Sequence, residues 1–161
     1  MTIGIICAIP QELAHLASAM PAPAMETHAG LVFQRGGLDG HDVVLAGGGV
    51  GKVNAAVTST LLADRFGCRC LVFSGVAGGL DPALGVGDVV IGERTLQHDA
   101  GILQAGRIHT YQAGHIPFFN PTDQLGYRPP GDLLSRIRAR LERDAAGGGV
   151  GGYDSKDMTT F

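Results

Sequence analysis

The sequence predicts an α/β fold, a mixed central sheet flanked by helices. Two apolar runs that do not alternate, residues 2–9 (TIGIICAI) and 71–73 (LVF), read as strands covered on both faces. Each runs into a turn or helix start rich in Gly or Pro, which is the habit of a sheet that meets ligands at its strand ends. Composition agrees: 161 residues with 45% hydrophobic and 17% charged suffice for one domain with a proper core.

The first run ends at Pro10, which can open a helix in its first turn. Leu13, Leu16, Ala17 and Met20 then recur at i, i+3, i+4 and i+7, so one face of this helix packs on the sheet. Glu12 stands where a strand's carboxyl end meets the first turn of that helix. A carboxylate there complements the helix dipole, and the same place is where a sheet presents ligands; the residues alone leave both uses open.

Residues 21–24 (PAPA) break the chain. Residues 31–35 and 42–46 then flank the Gly/Asp loop 36–40, which predicts an antiparallel hairpin with His28 and His41 solvated in its turns. Gly47-Gly48-Gly49-Val50-Gly51-Lys52 precedes a helical stretch over 53–66. It is no phosphate loop, because Ala46 stands where the first glycine belongs and Val53 follows Lys52 where a hydroxyl residue is needed. It reads instead as a loop passing under a bound sugar.

The run 71–73 continues into Ser74-Gly75-Val76-Ala77-Gly78-Gly79-Leu80, whose glycines let a ligand approach the main-chain amides or serve a tight strand-to-strand turn with no ligand; the loop alone leaves both open. A turn-rich connector, residues 81–88, leads to a further expected buried strand at 89–92 (VVIG). His98-Asp99 follows; as neighbours on a strand they point to opposite faces, so a structural or subunit-contact use is expected over a catalytic dyad. Residues 101–130 read as loop, with Pro117, Phe118, Phe119 and Pro121 as an aromatic cluster suited to a partner surface or a lid. Residues 132–143 form an amphipathic helix with Leu133, Leu134, Ile137 and Leu141 on one face. The domain is expected to span 1–144, with 145–161 a flexible Gly-rich tail.

Net charge −3, with 12 Lys+Arg scattered among 15 Asp+Glu, leaves no basic excess for nucleic acid or an anionic membrane surface. No apolar run approaches the roughly 18 residues of a membrane helix, and no basic segment opens the chain, so a soluble cytoplasmic protein is expected. Cys7, Cys68 and Cys70 lack metal-ligand spacing and are expected to be reduced core thiols, with no metal site.

Four pieces together resemble one family: residues 3–8 followed by Glu12, residues 49–56 (GVGKVNAA), residues 75–80 (GVAGGL), and residues 86–90 (VGDVV) leading to His98-Asp99-Ala100. In order and spacing they are similar to 5'-methylthioadenosine/S-adenosylhomocysteine nucleosidases of the nucleoside phosphorylase superfamily. The resemblance implies a nucleoside phosphorylase-like fold and hydrolysis of the N-glycosidic bond of an adenosine thioether. Adenine is released in purine and methionine salvage, with no cofactor, by a homodimer that takes a small purine nucleoside as its partner. Glu12 matches the glutamate that activates the attacking water, as an oxocarbenium-like centre requires. Ile9 matches a position close to that water, and Val50, Val76, Ala77 and Gly78 match positions lining the ribose and purine pocket.

The phosphorylases of the superfamily carry an arginine at the position of Phe73 and usually a serine at that of Val76, both for phosphate, so hydrolysis is expected over phosphorolysis. Many nucleosidases also have serine at the position of Val76. Family enzymes continue past residue 161 with a purine-stacking aromatic, a Met-Glu pair for the ribose hydroxyls and an Arg-x-x-Ser-Asp stretch whose aspartate protonates adenine, none of which occurs in 145–161. The expectation is therefore a fold incomplete at its carboxyl end, with an unpaired sheet edge that drives self-association. A catalytically impaired purine-nucleoside-binding or assembly module is the alternative on the same fold.

Overall fold

The computed structural model describes residues 1–146. The chain forms two compact units, residues 1–78 and residues from 79 onward.

The first unit is a five-stranded mixed sheet in the order β2-β3-β4-β1-β5, built from β1 (Ile3–Cys7), β2 (Ala24–His28), β3 (Leu31–Leu38), β4 (His41–Gly47) and β5 (Cys70–Phe73). The strands β4, β1 and β5 run parallel, whereas β2, β3 and β4 pair antiparallel. Helix α1 (Pro10–Ser18) leads from β1 to β2, helix α2 (Lys52–Asp64) joins β4 to β5, and the two cover opposite faces. Alternation along β4 explains the two covers: Val43 and Leu45 join Cys7, Met20, Leu13, Leu16 and Ala17 on the α1 side, while Val44 and Ala46 join Ile6, Phe33, Leu62 and Phe66 on the α2 side.

Helix α1 begins at Pro10 and α2 begins after Gly51, whose φ of 108° is open to glycine alone at little strain. The expected hairpin is β3–β4, and it closes more tightly than the sequence suggested, on Asp39-Gly40, both with positive φ. Cys7 and Cys68 are buried free thiols and Cys70 is half-buried; burial raises the Cys7 and Cys68 thiol pKa values.

Several expectations need correction. Residues 71–73 are not covered on both faces: β5 is the edge of the sheet, and Leu71, Val72 and Phe73 are 42%, 42% and 62% exposed. Residues 89–92 form no strand, and Val89 and Val90 are exposed. Strand β2, with the unalternating sequence AMETH, went unforeseen because it offers no apolar face to read. His28 ends that strand, half-buried against the rings of Phe33 and Phe66, and does not sit in a solvated turn.

In the second unit, residues 101–110 are not loop. They form a hairpin of β6 (Gly101–Gln104) and β7 (Arg107–Thr110) turning on Ala105-Gly106, both with positive φ. His98-Asp99 lies in a turn ahead of β6, where the His98 carbonyl accepts from Thr110 Oγ1 at 3.2 Å. Phe118 and Phe119 are exposed on a tight turn closed by paired backbone bonds between Ile116 and Phe119. Buried Gln112 accepts the Gly126 N–H at 2.6 Å. Helix α3 (Gly131–Ala146) turns Leu133, Leu134, Ile137 and Leu141 inward to half-burial, as its apolar spacing predicts. The expected flexible tail over 145–161 lies outside the described residues beyond Ala146. Among the described residues no helix is long and apolar enough to cross a membrane.

Candidate active site

Three parallel strands end side by side, and their exits carry every site residue expected from the sequence. The register pairs Cys7 with Gly47 and Ile6 with Phe73, so the loops after β1, β4 and β5 leave the same edge of the sheet. Two further bonds prolong the ladder beyond the strands: Gly48 N–H donates to the Cys7 carbonyl at 2.9 Å, and Ser74 N–H to the Ile6 carbonyl at 3.0 Å. Strand β1 lies between β4 and β5, where the chain switches from one side of the sheet to the other; this is the crevice position of open α/β sheets.

Glu12 is the third residue of α1, and its half-buried side chain turns back over the strand ends. Its Oε2 accepts the Ala8 N–H at 2.8 Å and the Ile9 N–H at 3.1 Å. Its Oε1 accepts the Val76 N–H at 2.9 Å, from the exit of β5. Glutamate at the third helical position commonly reaches back to the amide ahead of the helix, so the Ile9 bond is local helix chemistry. The Val76 bond is not local, since it ties two segments 64 residues apart.

These donors hold the Glu12 carboxyl below its ordinary pKa. The Val76 amide acts most strongly and the Ile9 amide next, partial desolvation opposes them, and the Ala8 amide adds to the lowering. The group is therefore an anion at neutral pH. Its charge also raises the pKa of the neighbouring Cys7 thiol, after burial as the main cause.

The structure thus brings Glu12, Ile9 and Val76 into one hydrogen-bonded set. Ala77 and Gly78 follow directly as exposed irregular backbone, and a Cβ added at Gly78 would meet open space. Val50 stands apart from the set. It lies in the loop after β4 with its side chain 72% exposed, and its carbonyl accepts from Asn54 Nδ2 at 2.8 Å. Gly49, at φ 81°, shapes that loop against Asn54. Sequence reasoning missed the parts of Ala8 and Gly75. The signal for the first is the Pro-x-Glu helix start. The room that Gly75 leaves is filled not by a ligand but by Glu12 itself. Among the described residues no group of His, Cys, Asp and Glu could hold a metal ion.

A carboxylate held by three backbone amides thus stands at the ends of the parallel strands of a mixed sheet, beside glycine-rich loops. The sequence profile of the phosphorylase superfamily matches residues 2–146, and the chain belongs to that superfamily.

Within it, the chain is similar to the 5'-methylthioadenosine/S-adenosylhomocysteine nucleosidase of Mycobacterium bovis, 51% identical over 156 residues that cover 92% of this chain and 61% of that protein. The Tolumonas auensis protein of the same name is 42% identical over 73% of this chain and 49% of its own length. Among solved structures, the Colwellia psychrerythraea nucleosidase in complex with adenine superposes with a TM-score of 0.75 at 34% identity, covering 91% of this chain and 57% of that one. The Neisseria meningitidis nucleosidase in complex with methylthio-immucillin-A gives 0.72 at 33% identity, covering 88% and 58%. The chain thus spans about three fifths of the length of the Mycobacterium bovis relative.

Proposed function

We propose that the chain carries the water-activating half of an N-ribosyl hydrolase that acts on 5'-methylthioadenosine and S-adenosylhomocysteine and releases adenine. The observation that carries this reading is Glu12, an anionic carboxylate oriented by three backbone amides at the strand ends. Its remaining lone pair, on Oε1, can orient a water and take its proton as the water attacks the anomeric carbon. The glycosidic bond breaks through an oxocarbenium-like state, whose positive charge the same carboxylate stabilises. Ile9 borders the water, and Val50, Val76, Ala77 and Gly78 border ribose and purine. Protonation of the departing adenine lies outside what Glu12 supplies.

Water suits this site better than phosphate. An anionic nucleophile would meet the Glu12 charge, and Phe73 and Val76 offer it no cationic or hydroxyl partner. The names of the relatives and the adenine bound in the Colwellia structure support the substrate class. A cytoplasmic homodimer serving purine and methionine salvage belongs to the same reading.

Product analysis tests it: the chain, given methylthioadenosine without phosphate, should yield adenine and free thioribose. Adenine release that requires phosphate, with a sugar 1-phosphate as co-product, would overturn hydrolysis. The exposed β5 edge favours a second reading, a purine-nucleoside-binding or assembly module. Nucleoside binding without any adenine release would select it.

A further inference from the structure

We infer that Gly75 is a positioning residue for the Glu12 carboxylate, and that Glu12 in return holds the loop leaving β5 through the Val76 N–H. The inference deepens the proposed function and rests on its assignment of Glu12 as the base.

The three bonds to Glu12 are of two kinds. Those from Ala8 and Ile9 arise within one strand-to-helix junction and would form for a glutamate at this helical position whatever lay opposite. The bond from Val76 forms only if the β5 exit comes close enough to Oε1. Gly75 is what allows that approach. A Cβ there would stand 2.7 Å from Oε1, 2.9 Å from Cδ and 3.0 Å from Oε2, so it would collide with the whole carboxyl group. Backbone conformation does not call for glycine here, because Gly75 is absent from the residues with positive φ. Space does.

The arrangement also assigns the two oxygens. Oε2 already takes two amides and Oε1 only one, so Oε1 keeps a lone pair with which to receive a proton. Glu12→Gln is consequently more than a removal of charge. A carboxamide has one accepting oxygen, so it must release either Val76 or the Ala8 and Ile9 pair, and its NH₂ then faces a backbone donor. The base and one of its two anchorages are lost together.

Nuclear magnetic resonance on the labelled full chain tests this without any turnover. In the wild type, the Val76 amide proton should shift with the Glu12 side-chain carboxyl carbon as pH falls, both with the same midpoint below the ordinary glutamate range. The titratable neighbour that senses Glu12 is the Cys7 thiol, which stays protonated throughout that acid range. In Gly75→Ala, the Glu12 midpoint should rise and the Val76 amide should cease to follow it. Gly78→Ala adds the same methyl to the same loop in open space, and should leave both titrations as in the wild type. A Gly75→Ala chain whose Val76 and Glu12 still titrate together would overturn the inference. So would a wild-type Val76 amide that is indifferent to Glu12, a result that decides the matter even if Gly75→Ala does not fold. Coupled titration in a chain that releases no adenine would sink the proposed hydrolysis and leave the role of Gly75 standing.

Discussion

Glu12 is asked to do two things, and its acid behaviour follows from both. Because native contacts lower its pKa, the unfolded chain binds more protons than the native one in the acid range. The contribution of Glu12 to stability is thus complete above the unfolded value of about 4.3 and fades as pH falls through the lower native value. Asp42 follows the same sign: its carboxyl is lowered chiefly by the Arg35 guanidinium, at 3.0 and 3.3 Å, and then by the Thr2 hydroxyl at 2.7 Å. Thermal melts should show Tm flat near neutrality and falling below about pH 4, with a shallower fall in Glu12→Gln. A Tm that rises on acidification would contradict the sign. Gly48 yields a packing prediction. A Cβ there would lie 2.9 Å from Oγ1 of buried Thr58 and 3.2 Å from Ile6 Cγ2, so Gly48→Ala should cost about 1–3 kcal/mol in denaturant unfolding.

At the scale of elements, what was legible is what repeats locally. The i, i+3, i+4, i+7 spacing of Leu13, Leu16, Ala17 and Met20 located α1 and the half-buried face it packs on the sheet, with Met20 just past its end, and the apolar run at 2–9 located β1 between two neighbours. The same rule misplaced β5. Apolar residues on both faces are what a strand needs when it has partners on both sides, and Leu71, Val72 and Phe73 have that composition while only β1 pairs with β5 among the described strands. Residues 89–92 failed alike: the sequence is that of a buried strand, without described neighbours to bury it. Short strands such as β6 and β7, four residues each, carry too little pattern to see. An edge without charge, proline or bulge is a template for pairing. Light scattering should therefore find the chain self-associated, with Val72→Lys shifting it toward monomer; a monodisperse wild-type monomer would refute this. Leu62→Ala on α2, fully buried against β1 and β4, should cost about 2–5 kcal/mol by denaturant unfolding.

For the whole molecule, the candidate site was half legible. That a glutamate after the first strand and a glycine loop after a later one belong to one site came from resemblance to a family. Their meeting through Glu12 Oε1 and the Val76 N–H, across 64 residues, could come only from the fold. The chain belongs to the phosphorylase superfamily and is similar to nucleosidases, and the hydrolysis proposed for it stands or falls on product release. The most direct measurement is adenine release from methylthioadenosine and S-adenosylhomocysteine in phosphate-free buffer, wild type against Glu12→Gln. The wild type should release adenine, and the variant should lose roughly 10²–10⁴-fold of that rate. A folded wild-type chain that releases none, or a Glu12→Gln chain that releases adenine undiminished, would contradict the proposed hydrolysis.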